Sequence, residues 1–322
     1  MTLPRVITTS VVRSACHGES HGGVYLVDLD SGAIDQVIDW NDPAISWEGR
    51  GGDRGLRGIA FHGDEIYIAA SDEVFVYDRT FTLLTSYRNK YLKHCHEIFI
   101  KGDTLYLTST KTNSILEFDL AEQRFACGYL IVEKRRILAR LPGFGAARKR
   151  FHMITFDPNT ANAAPPSEMI SPELHINNVT RQNSAVFVSA TQVNGLLALE
   201  AGEIREYARL PFGTHNAAPY RSGVIYNDTK ADRIVIADKD GRISQTFAVP
   251  RFDNLPQTAL PNDHARQSFA RGLCTFGDDV VIGGSSPSTI SAYDRRSGEL
   301  IRSISISKDI RNCIHGLEIW PY

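Results

Sequence analysis

Apolar residues come along this chain in short runs of four to six, each bounded by a turn signal, and the runs recur in groups. One group reads Arg57-Gly-Ile-Ala-Phe, a turn at His62-Gly-Asp64, Ile66-Tyr-Ile-Ala-Ala70, and then Val74-Phe-Val-Tyr-Asp78. The next reads His96-Glu-Ile-Phe-Ile100, a turn at Lys101-Gly-Asp103, Leu105-Tyr-Leu-Thr-Ser109, and then Ile115-Leu-Glu-Phe-Asp119. Runs of this length, rich in β-branched and aromatic residues, predict strands, and the Gly-Asp turns between them predict hairpins.

The groups repeat at roughly 40 residues, the period of a propeller blade. Further openings stand at His175-Ile-Asn-Asn-Val179, His215-Asn-Ala-Ala-Pro219 and Arg271-Gly-Leu-Cys-Thr275, and the turn at Arg296-Ser-Gly298 closes the fifth group. A sixth opening, His315-Gly-Leu-Glu-Ile-Trp320, has only two residues after it. The runs at Val6 to Ser10, Val24 to Asp28 and Ile34 to Trp40 lack an innermost partner, so the two chain ends are expected to share a blade. Such closure pairs strand edges that would otherwise stand open. The expected fold is all-β, a single six-bladed β-propeller over residues 1–322, its last blade made of N-terminal strands and the C-terminal innermost strand. Two connections exceed the repeat, at about 132–174 and 250–268. The first, with basic residues from Lys134 to Arg150 and a Pro-rich end, is expected as a solvated loop or helix outside the sheets, or as a lid.

Repeat phase also carries chemistry. The first strand of each blade lies nearest the axis, so Arg57, His96, His175, His215, Arg271 and His315 are expected at one height around a channel. Neutral imidazoles suit iron, zinc, copper, nickel or manganese, and a shared transition metal on His96, His175, His215 and His315 is the leading expectation. A guanidinium is always charged and forks onto carboxylate, phosphate or sulfate, so Arg57 and Arg271 are expected to hold a small organic anion. Glu97 and Glu318 stand close enough in sequence to orient imidazoles. His94, in His94-Cys-His96, reads as a loop-end residue, and Cys95, Cys274 and Cys313 as core. The glycine-rich loop Trp47 to Leu56 brings Arg50, Asp53 and Arg54 toward the channel, and His17-Gly-Glu-Ser-His21 is either a short metal motif or a hairpin tip.

Composition narrows the partners. The chain has 322 residues, 42% of them hydrophobic and 22% charged, with a formal net charge of −2. Nothing in that balance points to a nucleic acid, which needs a concentrated basic surface, and no run approaches the roughly 18 apolar residues of a membrane span. Five scattered cysteines without a CxxC pair argue against a disulfide framework or thiolate zinc, and with no leader pattern at Met1 to Ser10 they predict a cytoplasmic monomer. The expected function is a metal-dependent enzyme of lyase, hydrolase or oxygenase type. The alternatives are a metal-free transferase or lyase with a histidine as nucleophile or base, and a non-catalytic binding module.

The blade pattern resembles that of the six-bladed propellers that include the NHL-repeat, gluconolactonase and strictosidine-synthase groups. That resemblance implies the architecture; in lactonase-like members an axial calcium is held by Glu, Asn and Asp, roles that Asn177, Asn178 and Asn216 would take here, although histidines fit calcium poorly. The four-histidine site is similar to that of carotenoid-cleaving oxygenases, which have seven blades and longer chains. Channel histidines beside arginine are similar to those of bacterial arylsulfate sulfotransferases, which are larger and periplasmic.

Overall fold

In the computed structural model, residues 2–16, 18–41, 55–133, 150–163, 173–257 and 266–322 are described. Their strands form six antiparallel sheets. Blade 1 comprises β4 (Ile59–His62), β5 (Glu65–Ala69), β6 (Glu73–Tyr77) and β7 (Leu83–Arg88). Blade 2 runs from β8 (Ile98–Lys101) through β9 (Thr104–Ser109) and β10 (Ser114–Asp119) to β11 (Arg124–Glu133). Blade 3 is β13 (Ile176–Gln182) to β16 (Glu203–Arg209), blade 4 is β17 (His215–Tyr220) to β20 (Ile243–Ala248), and blade 5 is β21 (Leu273–Phe276) to β24 (Leu300–Ser305).

Blade 6 is closed by both chain ends, as the unpaired N-terminal runs require. The C-terminal β25 (Asn312–Ile319) is innermost, followed outward by β1 (Arg5–Val12), β2 (Gly22–Asp28) and β3 (Ile34–Asp39). Val6 pairs with Ile319 and Val11 with Cys313, and the register slips between Thr8 and Ser10. At that bulge the Thr9 hydroxyl donates to the Arg57 carbonyl at 2.6 Å and accepts from Gly316 N–H at 2.8 Å. Closure of the ring and placement of the first blade are thus one set of bonds.

Alternation along the strands explains why the sheets stack around an axis. A strand whose two faces are both buried must be apolar on both, and the second strands are. In β5, Ile66 and Ile68 pack toward blade 6 while Tyr67 and Ala69 pack toward blade 2. In β18 (Gly223–Asp228), Val224 and Tyr226 face blade 3 and Ile225 faces blade 5. Among the described residues there are six apolar clusters, one between each pair of neighbouring blades. Each fully buried Ile or Leu in them contributes roughly 1.5–3 kcal/mol. The first strands touch side by side: β4 with β8, β8 with β13, β13 with β17, β21 with β25, and β25 with β4.

The first long connection holds a strand in its described part. β12 (Phe151–Phe156) pairs with β11 and makes blade 2 five-stranded. Phe151 and Phe156, at its two ends, bury into the clusters on either side of that blade. The basic residues from Lys134 to Lys149, most of the Pro-rich end, His17, and the loop residues Arg50, Asp53 and Arg54 lie outside the described residues. Among the described residues no helix is long and apolar enough to cross a membrane.

Candidate active site at one end of the channel

The six residues matched by repeat phase all sit at or near the start of an innermost strand. Arg57 and His96 each stand two residues before theirs, Arg271 likewise, and His175 one before; His215 opens β17 and His315 lies within β25. Arg57, His96, His215, Arg271 and His315 are all buried, and His175 is about a third exposed. Rings meet across the blades: His96 and His175 centroids are 5.2 Å apart, His96 and His315 6.3 Å.

Blade order divides this ring. Arg271, His315 and Arg57 come from blades 5, 6 and 1, so the two guanidiniums flank one imidazole. Nη1 of Arg271 donates to Nε2 of His315 at 2.8 Å, and Nη1 of Arg57 donates to the Cys95 carbonyl at 3.0 Å. His96, His175 and His215 come from blades 2, 3 and 4 and form the other half. Nδ1 of His96 lies 2.8 Å from Thr110 Oγ1 and 3.2 Å from the His94 carbonyl oxygen. Nδ1 of His215 lies 2.9 Å from Thr229 Oγ1 and 3.1 Å from the Gly213 carbonyl oxygen. His175 differs, its Nδ1 meeting the Glu173 carboxylate at 3.2 Å.

Burial holds His96, His215 and His315 well below the ordinary imidazole range, and the arginine charges push the same way, Arg57 first for His96 and Arg271 first for the other two. His175 is lowered too, by burial and then by Arg271. The ring is therefore neutral at its imidazoles and positive at its arginines near pH 7.

Among the described hydrogen bonds Glu97 meets an amide and no imidazole. Its Oε1 accepts from Asn216 Nδ2 at 3.0 Å, a bond from blade 2 to blade 4 that skips the blade between them. Asn216 Oδ1 in turn accepts from Gly272 N–H at 3.0 Å and from Asn227 Nδ2 at 3.1 Å. This bridge forms a floor under the ring. Glu97 is half-buried; its partial removal from water pushes its carboxyl up to about 8, and the charge of Glu318 adds to that. Glu318, three residues beyond His315, is also raised to about 8 by burial, and no imidazole is oriented by it among the described hydrogen bonds. Both shifts favour the protonated carboxyl over the carboxylate.

Several expectations meet different surroundings. His94 faces the ring, its centroid 5.0 Å from that of His96 and 6.3 Å from that of His175. Asn177 and Asn178 donate to the Thr214 and Ala217 carbonyls at 2.7 and 2.9 Å and so tie blade 3 to blade 4. Cys95 is core, its thiol pushed up to about 12 by burial. A four-histidine metal set does not fit the side chains as they stand. Arg271 occupies the Nε2 lone pair of His315, and among the described residues no three His, Cys, Asp or Glu side chains are grouped to hold one ion.

Thr110 and Thr229 carry no signal of their own in the sequence. The available signal was the recurrence of Thr110-Lys111 and Thr229-Lys230, each 14 residues after a ring histidine.

No family model matches the chain, and no curated protein sequence matches it. Among solved structures, a chain of the nidogen–laminin complex is similar with a TM-score of 0.59 at 8% identity, over 98% of this chain and 97% of that one. A protein of unknown function from Bacteroides caccae is similar with a TM-score of 0.58 at 11% identity, over 98% of both chains. A catalytically inactive virginiamycin B lyase from Staphylococcus aureus gives a TM-score of 0.44 at 15% identity, over 81% of this chain and 73% of that one. These likenesses are of the propeller fold, and a fold does not carry a reaction.

Proposed function

We propose that this propeller is an enzyme for a small organic anion, which it holds at the ring end of the channel and transforms by proton transfer. The observation that carries the reading is the division of the ring, with Arg57 and Arg271 on either side of His315 and three neutral imidazoles opposite. A carboxylate placed against the guanidiniums is neutralised by charge-assisted hydrogen bonds. Its adjacent carbon then faces His96 and His215, neutral imidazoles able to take a proton as general base. Negative charge that builds on the carboxylate during that step lies beside the arginines, which stabilise it more in the transition state than in the ground state. Glu97, its protonated form favoured, is placed below the ring to return a proton to a leaving group. Elimination is the simplest reaction that uses all of these groups. The five cysteines, none in a disulfide, fit a reducing compartment such as the cytoplasm.

Calorimetric titration with a panel of small mono- and dicarboxylates, sulfate and phosphate tests the reading. Binding is expected for at least one anion and is expected to weaken roughly 10- to 100-fold in Arg57→Met and Arg271→Met. His96→Asn should keep binding and lose turnover. An intact fold that binds none of the panel overturns it.

A second reading keeps a transition metal on His94, His96 and His175, whose rings are neighbours with centroids 5.0, 5.2 and 6.3 Å apart but would have to turn about their side-chain bonds to converge on one ion. A metal there would supply Lewis-acid chemistry. Elemental analysis of the purified protein decides it: stoichiometric metal lost in His96→Ala and His175→Ala supports it, and metal-free protein that still turns over an anion sinks it.

A further inference from the structure

We infer that Thr110 and Thr229 are positioning residues that hold His96 and His215 as Nδ1–H tautomers, so that Nε2 is the nitrogen each ring presents for chemistry. The chemical consequence rests on the proposed function; the assignment of the tautomer rests on hydrogen-bond logic alone.

Each Nδ1 faces two oxygens. One is a main-chain carbonyl, His94 for His96 at 3.2 Å and Gly213 for His215 at 3.1 Å. A carbonyl oxygen can only accept, so a hydrogen on Nδ1 is required for that contact to be favourable. The other is the threonine hydroxyl, at 2.8 and 2.9 Å. A hydroxyl could serve either way, but its own proton is already committed. Thr110 Oγ1 donates to the Ile176 carbonyl of blade 3 at 2.6 Å, and Thr229 Oγ1 donates to the Ala270 carbonyl ahead of blade 5 at 3.0 Å. Each threonine is left with lone pairs for Nδ1–H. The chain imidazole, hydroxyl, next-blade carbonyl therefore has one proton arrangement that satisfies every member, and it leaves Nε2 bare.

The arrangement is built twice. In both blades the threonine stands 14 residues after the histidine and opens a short 3₁₀ turn, Thr110–Thr112 or Thr229–Ala231. Both turns end on a left-handed residue, Asn113 at φ 48° and Asp232 at φ 54°, positions where Asn and Asp are tolerated. Both threonines are buried, and their β-branched side chains fix χ1 more tightly than serine would. Blade 3 lacks the device: Thr191 follows β14 (Ala185–Ala190) as Thr110 and Thr229 follow β9 and β18, but it stands two residues further from the ring histidine, and His175 has the Glu173 carboxylate at its Nδ1.

Long-range ¹H–¹⁵N correlation spectra of protein labelled with ¹⁵N-histidine read the tautomers, with His96 and His215 assigned by their loss in His96→Gln and His215→Gln. Both rings are expected to show a protonated Nδ1 and an unprotonated Nε2. Thr110→Val should speed solvent exchange of the His96 Nδ1–H on the order of tenfold, the loss of one buried hydrogen bond, and leave His215 unchanged; Thr229→Val should do the reverse. Thr110→Ser should restore most of the protection. Either wild-type ring carrying its proton on Nε2 overturns the inference, and so does unchanged exchange in both valine variants. If the tautomers are as expected but added sulfate or carboxylate moves no ring signal, the anion reading fails while the positioning role stands.

Discussion

The two halves of the ring are held together differently. In blades 5, 6 and 1 each ring residue is followed by glycine: Arg271-Gly272, His315-Gly316 and Arg57-Gly58. A Cβ on Gly316 would stand 2.4 Å from the Arg57 carbonyl oxygen, and one on Gly58 2.6 Å from Ile98 N. Gly272 has φ +79°, and a Cβ there would come 3.0 Å from the His315 carbonyl oxygen. Backbones therefore meet directly on the arginine side. In blades 2, 3 and 4 the following residues are Glu97, Ile176 and Asn216, and side chains bridge the blades: Thr110 to Ile176, Asn177 to Thr214, Thr229 to Ala270. A half closed by backbone leaves no slack around two buried cations, whereas a half closed by hydrogen bonds can also orient imidazoles. The difference teaches that the same six-fold repeat carries two jobs, and that the job follows the residue after the ring position.

The largest effect should come from Gly316→Ala. The new Cβ meets main chain that cannot turn away, so a cost on the order of 3 kcal/mol is expected in denaturant unfolding. The matching change on the other side, Ile176→Val, should cost about 1 kcal/mol. Equal costs would erase the distinction between the halves.

Next in size is Arg57→Met, which should weaken anion binding roughly 10- to 100-fold, the worth of a hydrogen bond to a charged group. Arg57→Lys should not restore it, because an ammonium lacks the planar fork. Titration calorimetry reads both, and full rescue by lysine would mean that only charge matters on this side.

Asn177→Ala should cost about 1–2 kcal/mol of stability by leaving the Thr214 carbonyl without its donor, and a thermal melt checks it. A loss as large as that of Gly316→Ala would show the imidazole half to be no looser than the arginine half.

The last comparison lies in pH dependence. Glu97 and Glu318 have folded values of about 8 against an ordinary 4.5. The folded protein therefore holds more protons than the unfolded chain between these values, and stability falls as pH rises from 4.5 to 8. Glu97→Gln should flatten part of that fall, read as a Tm difference from wild type that grows in the variant's favour toward pH 8. A difference constant with pH would place Glu97 in an ordinary solvated setting.

Much of this was legible in the chain. Glycine–aspartate turns and apolar runs at a steady period located the strands, and because every blade repeats the same phase, the ring residues could be aligned without coordinates. The missing outer strands after His315 and the surplus strands at the N-terminus pointed to the same closure. Thr110 and Thr229 were not legible, since a Thr-Lys pair after a strand reads as an ordinary turn until the next blade's carbonyl is beside it. The bond between Glu97 and Asn216 was not legible either, because the two residues are 119 positions apart. His94 does stand in the loop before β8, but the nearness of its ring to those of His96 and His175 depends on how neighbouring blades close.

By itself, then, the sequence determined what depends on neighbours along the chain: strands, turns, blade number and the residues that reach the axis. Tertiary structure decided what depends on neighbours around the axis. Hydrogen-bond partners there come from other blades and have no fixed sequence offset, and burial of each ionisable group is set by six chains of contacts converging on one channel. That is why the ring could be named from its period, while its division into a cationic half and a neutral, oriented half could be seen only once the blades were closed.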